Sequence, residues 1–475
     1  MAANATKLFV CSLSLMFILI AYYYRKYNDD LLRERLQYTL KSLLKAENSV
    51  KLTYKPKVGL GFGSCQDVVI QSSEIILNEE APELSEHFDS IQNKEELLKV
   101  FAYFFKHGAA AERYISNETL FNEILESVKN SENSKWTVGG NAPIMALRFA
   151  KEGCDVLLGA QLSLELKKIL PSNMIFSGPL IEKDDIHLLL EYSSGEHWGT
   201  YTAPRANRFI VHNDHQNPTL ISLESFDSEL DKFKPNLLVV GGLQMMDNFP
   251  LPLDVRQSRL QKVRDMLARQ PKTTRIHFEM ASFTDKTLMS DLIESIIPMS
   301  DSLGMNEQEL PNLYHMIMYK NITLVSESYP RVAIILDQMR DVFRLLQDTE
   351  EVNGRRKLTR LHVHTLAFQA IMTKKKSSWK NSMSAAAKAA LTAHRHTCGS
   401  DEIDADKAKL IMDDSFTTSR GKNAKKILFE AKKPVACWEE DDIEICVAPV
   451  LVCTEVLQTG GGGDNVSSAG LVLQI

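Results

Sequence analysis

Several signatures are missing from this 475-residue chain, and each absence closes a class of function. Its seven cysteines (Cys11, Cys65, Cys154, Cys398, Cys437, Cys446 and Cys453) contain no CxxC pair, which argues against a cysteine-based zinc site. There is no GxxxxGK[ST] run, so no Walker-type phosphate loop, and no HRD or DFG tripeptide, so no protein-kinase catalytic loop. The "GLGFG" run ending at Gly63 breaks the GxGxxG spacing, and no helical pattern follows it, which disfavours a dinucleotide-binding oxidoreductase. Basic runs are short, with Lys374-Lys375-Lys376 a solvated loop, and the net charge is −6, so nucleic acid is not an expected partner.

What is present is enough apolar residue, 44%, for a large core. The length fits about three domains, or one large α/β domain with an insertion. The one long uncharged stretch is "LFVCSLSLMFILIAYYY", Leu8 to Tyr24, close to the minimum of about 17 residues for a bilayer-spanning helix. Three tyrosines crowd the end where a small-x-small cleavage site would lie. Residues 1–26 therefore predict a signal-anchor first and a cleaved signal peptide second. Either implies the endoplasmic reticulum membrane or secretory pathway, with the membrane as a partner. Lys7 before the stretch and Arg25-Lys26 after it leave the orientation open. Asn117-Glu-Thr and Asn321-Ile-Thr are acceptor sequons only if the body is lumenal. That compartment would permit one disulfide among the last four cysteines, with buried free thiols an equal alternative.

Residues 27–57 are charged and helical in character, a stalk before a body at 58–475. In the body, short apolar strands ("KVGLG", "DVLLGA", "PNLLVVGG", "RIHFEMAS", "ITLVSE", "RLHVHTL") alternate with amphipathic helical runs such as "IMALRFAKE" and "RVAIILDQMRDVFRLLQ". That alternation predicts an α/β fold with a mostly parallel, doubly covered sheet. "IHLLLEY", "WGTYTA" and "NRFIVHN" follow one another closely and predict an antiparallel patch. A smaller β-rich piece from about 67–133 and 184–214 would sit as a lid over the carboxyl ends of the parallel strands, where open α/β sheets bind ligands. Lys374 to Lys426 reads as a surface helix and loop excursion.

The run "TGGGGDNVSSAG", Thr459 to Gly470, carries the chemistry. If a helix starts near Asn465, the glycines leave bare amides at its positive end, a ready phosphate site. Asp464 then stands where a base for an attacking hydroxyl is needed. The alternative is a flexible linker, but "APVLVC" before the run and "AGLVL" after it are too apolar for a tail.

Gly461-Gly462-Gly463-Asp464 resembles the GxGD anion-hole motif of the ribokinase-like superfamily, and "GGNAPIMALRFAKEG" resembles its Gly-Gly-Asn and following helix. "APRANRFI", "IHFEMAS", "SLGMNEQEL" and "LHVHTL" narrow the resemblance to the eukaryotic ADP-dependent glucokinases, over about Val58 to Leu473. The resemblance implies a ribokinase-like large domain with a β-rich lid, glucose and ADP as substrates, Mg2+ as cofactor and a monomer. It implies Asp464 as catalytic base, Gly461, Gly462 and Gly463 as anion hole, and Arg205 reaching from the lid to the phosphates. Glu279 of HxE and Glu309 of NxxE, with Asp464, would serve the metal. Asn306, His364, Thr365, Val452 and Cys453 would line the nucleotide. Asp67, Glu112, Gly140, Asn141 and His187 would bind glucose.

Taken alone, several of these have plainer roles: Glu309 complementing a helix dipole, His187 and His277 as structural histidines, Arg205 and Arg208 on a solvated hairpin face. Two departures stand out. Gly63 replaces an expected asparagine, which removes one sugar contact. The all-glycine loop, Gly460 to Gly463, predicts a less preorganised anion hole. They keep open a non-catalytic membrane-anchored relative, beside an ATP-dependent sugar kinase of the same superfamily.

Overall fold

The computed structural model describes residues 2–347 and 353–475, with side chains from Leu13 onward. Ten strands form the main sheet. From one edge their order is Ile175–Ser177, Asp155–Gly159, Lys57–Gly61, Leu237–Val240, Arg275–Glu279, Ser302–Asn306, Arg360–His364, Phe368–Lys374, Ile443–Pro449 and Ala436–Glu440. All pairings from Ile175–Ser177 through Arg360–His364 are parallel, and the last three strands are antiparallel. Parallel strands buried on both faces need covers on both. Leu238 and Val240 face one core with helices Leu223–Phe233, Leu253–Ala268, Lys286–Ser295, Glu309–Tyr319 and Val332–Gln347. Leu237 and Val239 face the other, with helices Asn141–Lys151, Ser382–Cys398 and Gly462–Val472.

A second, five-stranded sheet has the order Ala111–Tyr114, Asn207–His212, Ile186–Tyr192, Cys65–Gln71 and Lys135–Gly139. Val68, Ile70, Leu188, Leu190, Phe209 and Val211 pack one of its faces onto helices Lys94–Phe105 and Glu118–Lys129. Asp67, His187, Leu189, Arg208 and Ile210, the alternate residues, line a cleft against the main sheet. The chain passes between the sheets at Phe62–Ser64, and again at Gly140.

Four expectations are corrected. "ITLVSE" forms no strand. The strand is Ser302–Asn306, and residues 321–327 run as a loop whose Ile322 packs on the main core and Val325 on the lid core. Its apolar residues serve two separate cores, which a period-2 reading cannot see. The excursion from Lys374 contains the buried helix Ser382–Cys398, with Ala385, Ala386, Ala387, Ala389 and Ala390 all fully covered. Alanine there permits close approach to the last helix, where Gly470 lies opposite Ala389. Ala389→Leu should cost about 1–3 kcal/mol by overpacking, read as a lower denaturant midpoint. The stalk is helical to Glu47, as expected, but it packs on the body rather than standing off it: the helix Ala2–Glu47 has Leu43 buried and Glu47 hydrogen-bonded to Arg395 at 2.8 and 3.0 Å. Two disulfides form instead of one, Cys398–Cys453 and Cys437–Cys446, while Cys65 and Cys154 are free and buried.

The predicted anchor lies on the N-terminal helix. The side chains of residues 8–12 fall outside those described, and from Leu13 to Tyr24 the large apolar side chains are exposed. Among the described residues no helix is long and apolar enough to cross a membrane.

Candidate functional site

Three adjacent parallel strands end on polar residues: Arg275–Glu279 on Glu279, Ser302–Asn306 on Asn306 and Arg360–His364 on His364. They form one wall of a cleft of about 590 Å³ whose roof is the smaller sheet. Every site residue expected from the sequence lines this cleft.

Helix Gly462–Val472 opens into it. Gly461 precedes the helix at φ 69°, a left-handed conformation suited to glycine, and the first helical amide, that of Gly462, makes only a long 3.4 Å bond to the Thr459 carbonyl. The Nδ2–H of Asn141 donates to Asp464 Oδ1 at 2.9 Å. Burial, with the negative Glu279 nearby, pushes the Asp464 carboxyl up to about 8, while the Asn141 bond and the Arg208 charge oppose that rise. The glycine loop is better held than its composition implies. Thr459 donates to Glu191 Oε1 through its N–H (2.6 Å) and hydroxyl (2.7 Å), and His396 Nε2 lies 2.7 Å from the Gly460 carbonyl.

On the opposite side of Asn141 lies a chain of polar groups. Asn141 Oδ1 accepts from Gln244 Nε2 at 2.6 Å, and the same nitrogen stands 3.4 Å from Glu112. His187 sits between Glu112 (3.1 Å) and Asp214 (2.9 Å). Burial works to lower its pKa, but Asp214 and its other neighbours outweigh this and hold His187 protonated well above the usual range. Asp67 is raised to about 6 by burial. It fits only because residue 139 is glycine, where a Cβ would stand 1.9 Å from Asp67 Oδ1. Gly140 (φ 85°) lies so close to the Gly63 carbonyl that a Cβ would approach it to 2.4 Å. Gly63 itself has φ 76° and touches Gly242, so glycine is what this turn requires where an asparagine was expected.

Glu279 accepts from Ser467 at 2.8 Å and lies 2.7 Å from His277 Nε2, which bonds onward to Ser302. Burial would raise Glu279, but the two histidines beside it, His277 and His364, bring it to about 2. Glu309 closes the turn at the start of its helix. Its two oxygens accept the Asn306 N–H and Nδ2–H, both at 2.8 Å, and Asn306 Oδ1 caps the amides of Gln308 and Glu309. That is a capping box, so the expected phosphate contact of Asn306 competes with this cap. Burial lifts Glu309 to about 7, helped by Glu279. Glu309 and Asp464, raised by burial and by the neighbouring Glu279, gather with it as carboxylate oxygens that fit a hard divalent cation.

Thr365 spends its hydroxyl on the turn to Phe368. His364 Nε2 lies 3.8 Å from Glu279 Oε1, and that carboxylate raises its pKa against the effect of burial. Val452 and Cys453 pair with Ala408–Lys409 at an apolar end that includes Ile411 and Leu451.

Arg205 lines the cleft and also joins the lid to the main domain: its Nε donates to Gly108 O (2.8 Å) and its Nη1 to Ser328 O (2.9 Å) and Glu307. Arg208, read from sequence as hairpin face, instead faces the cleft with a buried Nε that has no partner, and its charge acts on both Asp464 and Asp67. Asp214, Gln244 and Glu191 were also missed. For Arg208 the signal was available: in "NRFIVH" the apolar Phe209 and Val211 fix the core face, and Arg208 falls on the other.

A family model described as the ADP-specific phosphofructokinase/glucokinase conserved region matches residues 56–473. An ADP-dependent glucokinase of Bos taurus is 32% identical over 87% of this chain and 84% of its own length. A probable ADP-dependent glucokinase of Caenorhabditis elegans is 30% identical over 97% and 94%. A solved ADP-dependent kinase complex with fructose-6-phosphate and ADPβS superposes with TM-score 0.63 at 17% identity, over 93% of this chain and 97% of that one.

Proposed function

The chain belongs to the ADP-specific phosphofructokinase/glucokinase family, and from that membership we infer that it is an ADP-dependent glucokinase, giving glucose 6-phosphate and AMP. The observation that carries this reading is the hydrogen bond from Asn141 to Asp464, with Gln244 and Glu112 on the far side of the same asparagine. It ties the base to the sugar wall, so a hydroxyl held by the wall lies beside the carboxylate that takes its proton.

Glucose rests against Asp67, Glu112, Asn141 and His187, whose acceptors and donors match its hydroxyls. Asp67 and Glu112 also favour an uncharged sugar, because a sugar phosphate would meet carboxylates there. Asp464 removes the proton of the 6-hydroxyl. The amides of Gly461, Gly462 and Gly463 and the Arg208 guanidinium hold the charge of the β-phosphoryl group as it transfers. The adenine lies at the apolar end by Val452 and Cys453. A divalent cation serves this family, and Mg2+, held by Glu279 and Glu309 largely through water, would neutralise the diphosphate oxygens. Closure of the smaller sheet excludes the water that would hydrolyse ADP.

The full chain with glucose and Mg2+ should form glucose 6-phosphate with ADP and at least about tenfold less with ATP. Faster turnover with ATP would replace the donor assignment, and binding without turnover would favour the non-catalytic relative.

The same reading anchors the N-terminal helix in the endoplasmic reticulum membrane, supported by its exposed apolar run and by two disulfides, which suit an oxidising lumen. The full chain should stay with membranes through an alkaline carbonate wash, and its release would remove the anchor.

A further inference from the structure

Strand Ile186–Tyr192 of the lid carries more than the sugar contact. Leu188 and Leu190 point into the lid core, so His187, Leu189 and Glu191 share the opposite face. Followed along the strand, that face meets the whole reaction centre. His187 abuts Glu112 at the sugar wall. Leu189 presses on Gly460, where a Cβ would stand 2.7 Å from its methyl. Glu191, 4% exposed, receives three donors on one oxygen: the Thr459 N–H, the Thr459 hydroxyl and, at 3.3 Å, the Gly460 N–H.

A buried carboxylate that gathers three donors from the residues entering a glycine run fixes the path of that run. The run needs it, since glycines otherwise sample a wide range of backbone angles. On the main-domain side His396 holds the Gly460 carbonyl. Entry to the loop is thus gripped from both domains, and one grip travels with the lid.

We propose that Glu191 is a positioning residue which organises the glycine loop only when the lid is closed, so that sugar binding on one end of a stiff strand orders the phosphate site at the other. This rests on the glucokinase reading above. Glu191 touches neither substrate. Its charge is spent on the Thr459–Gly460 donors, behind the amides that face the phosphoryl group. Glucose recruits His187 and draws the lid down, Glu191 meets Thr459, and Gly461–Gly463 settle. Without sugar the loop is released and ADP meets no organised anion hole.

The test compares full-length wild type, Glu191→Ala, Glu191→Gln and Thr459→Val. In Glu191→Ala, kcat should fall about a hundredfold, the scale of a small misplacement in a catalytic site, with the KM for glucose changed by less than about threefold. Glu191→Gln keeps an acceptor oxygen and should recover most of the loss, and Thr459→Val should fall between. Hydrogen exchange supplies a second readout: glucose should slow amide exchange across residues 457–466 in wild type and not in Glu191→Ala. A wild-type kcat in Glu191→Ala, a loss confined to KM, or undiminished glucose protection of the loop would each overturn the proposal. If Glu191→Ala does not fold, the kcat and KM of Glu191→Gln and Thr459→Val decide it, wild-type kcat in Thr459→Val being the adverse result. If wild type makes no glucose 6-phosphate from ADP, the functional reading falls by itself, and the exchange comparison still decides the clamp.

Discussion

Asp464→Ala should lower kcat by about a thousandfold, within the range for loss of a positioned general base, while the KM for ADP stays within a few-fold. The measurement is glucose 6-phosphate formation at saturating ADP. A loss below tenfold would remove Asp464 from the chemistry. Its environment adds a pH signature. Burial and the nearby Glu279 lift the carboxyl to about 8. Only the ionised form accepts a proton, so kcat/KM should fall as pH drops through this raised value, well above the ordinary carboxylate range. Stability should run the other way. An acid with a raised folded-state pKa favours the fold while protonated, and that advantage is lost as pH climbs from its unfolded value toward 8. Asp464→Asn should therefore melt above wild type, by a margin that grows between pH 4 and pH 8.

Arg208→Ala should cost kcat on the order of a thousandfold, as loss of a guanidinium from phosphoryl transfer does elsewhere. Lysine should rescue little, since a point charge cannot replace the planar fork. Arg205→Ala should behave differently. It breaks the contacts to Gly108, Ser328 and Glu307 that join lid to main domain, so stability and KM should suffer more than kcat. If the two arginines exchange these phenotypes, the sequence-based assignment of Arg205 is restored.

That pair shows how local a sequence signal can be. Both arginines sit in "PRANR", and only the alternation of Phe209 and Val211 beyond it puts Arg208 on the face away from the lid core. Register decides it: Arg208 pairs with Glu191 across the ladder, facing the cleft, while Arg205 lies before the strand begins. The βα alternation was legible because each strand and helix carries its own period. The helix Ser382–Cys398 was not, because a run of alanines looks the same whether solvent or another helix covers it. Asp464 and its glycines were legible because a left-handed turn into a helix has a local signature. Asp214 and Gln244 were not, because they reach the site only through long-range packing: Gln244 bonds Asn141, distant in the chain, and Asp214 holds His187.

The N-terminal helix buries Leu43 and sets Glu47 against Arg395 and Lys388. Arg395 precedes His396, which grips the phosphate loop at Gly460. Anyone trimming the protein from its N-terminal side thus meets a hidden boundary. A cut just after Glu47 would remove Leu43 from the core it fills and take from Arg395 its carboxylate partner, while Lys388 would keep Glu152 at 2.8 Å, and a sluggish product would then reflect the scissors. Trimming ahead of Arg33, which reaches Asp406, spares that seam.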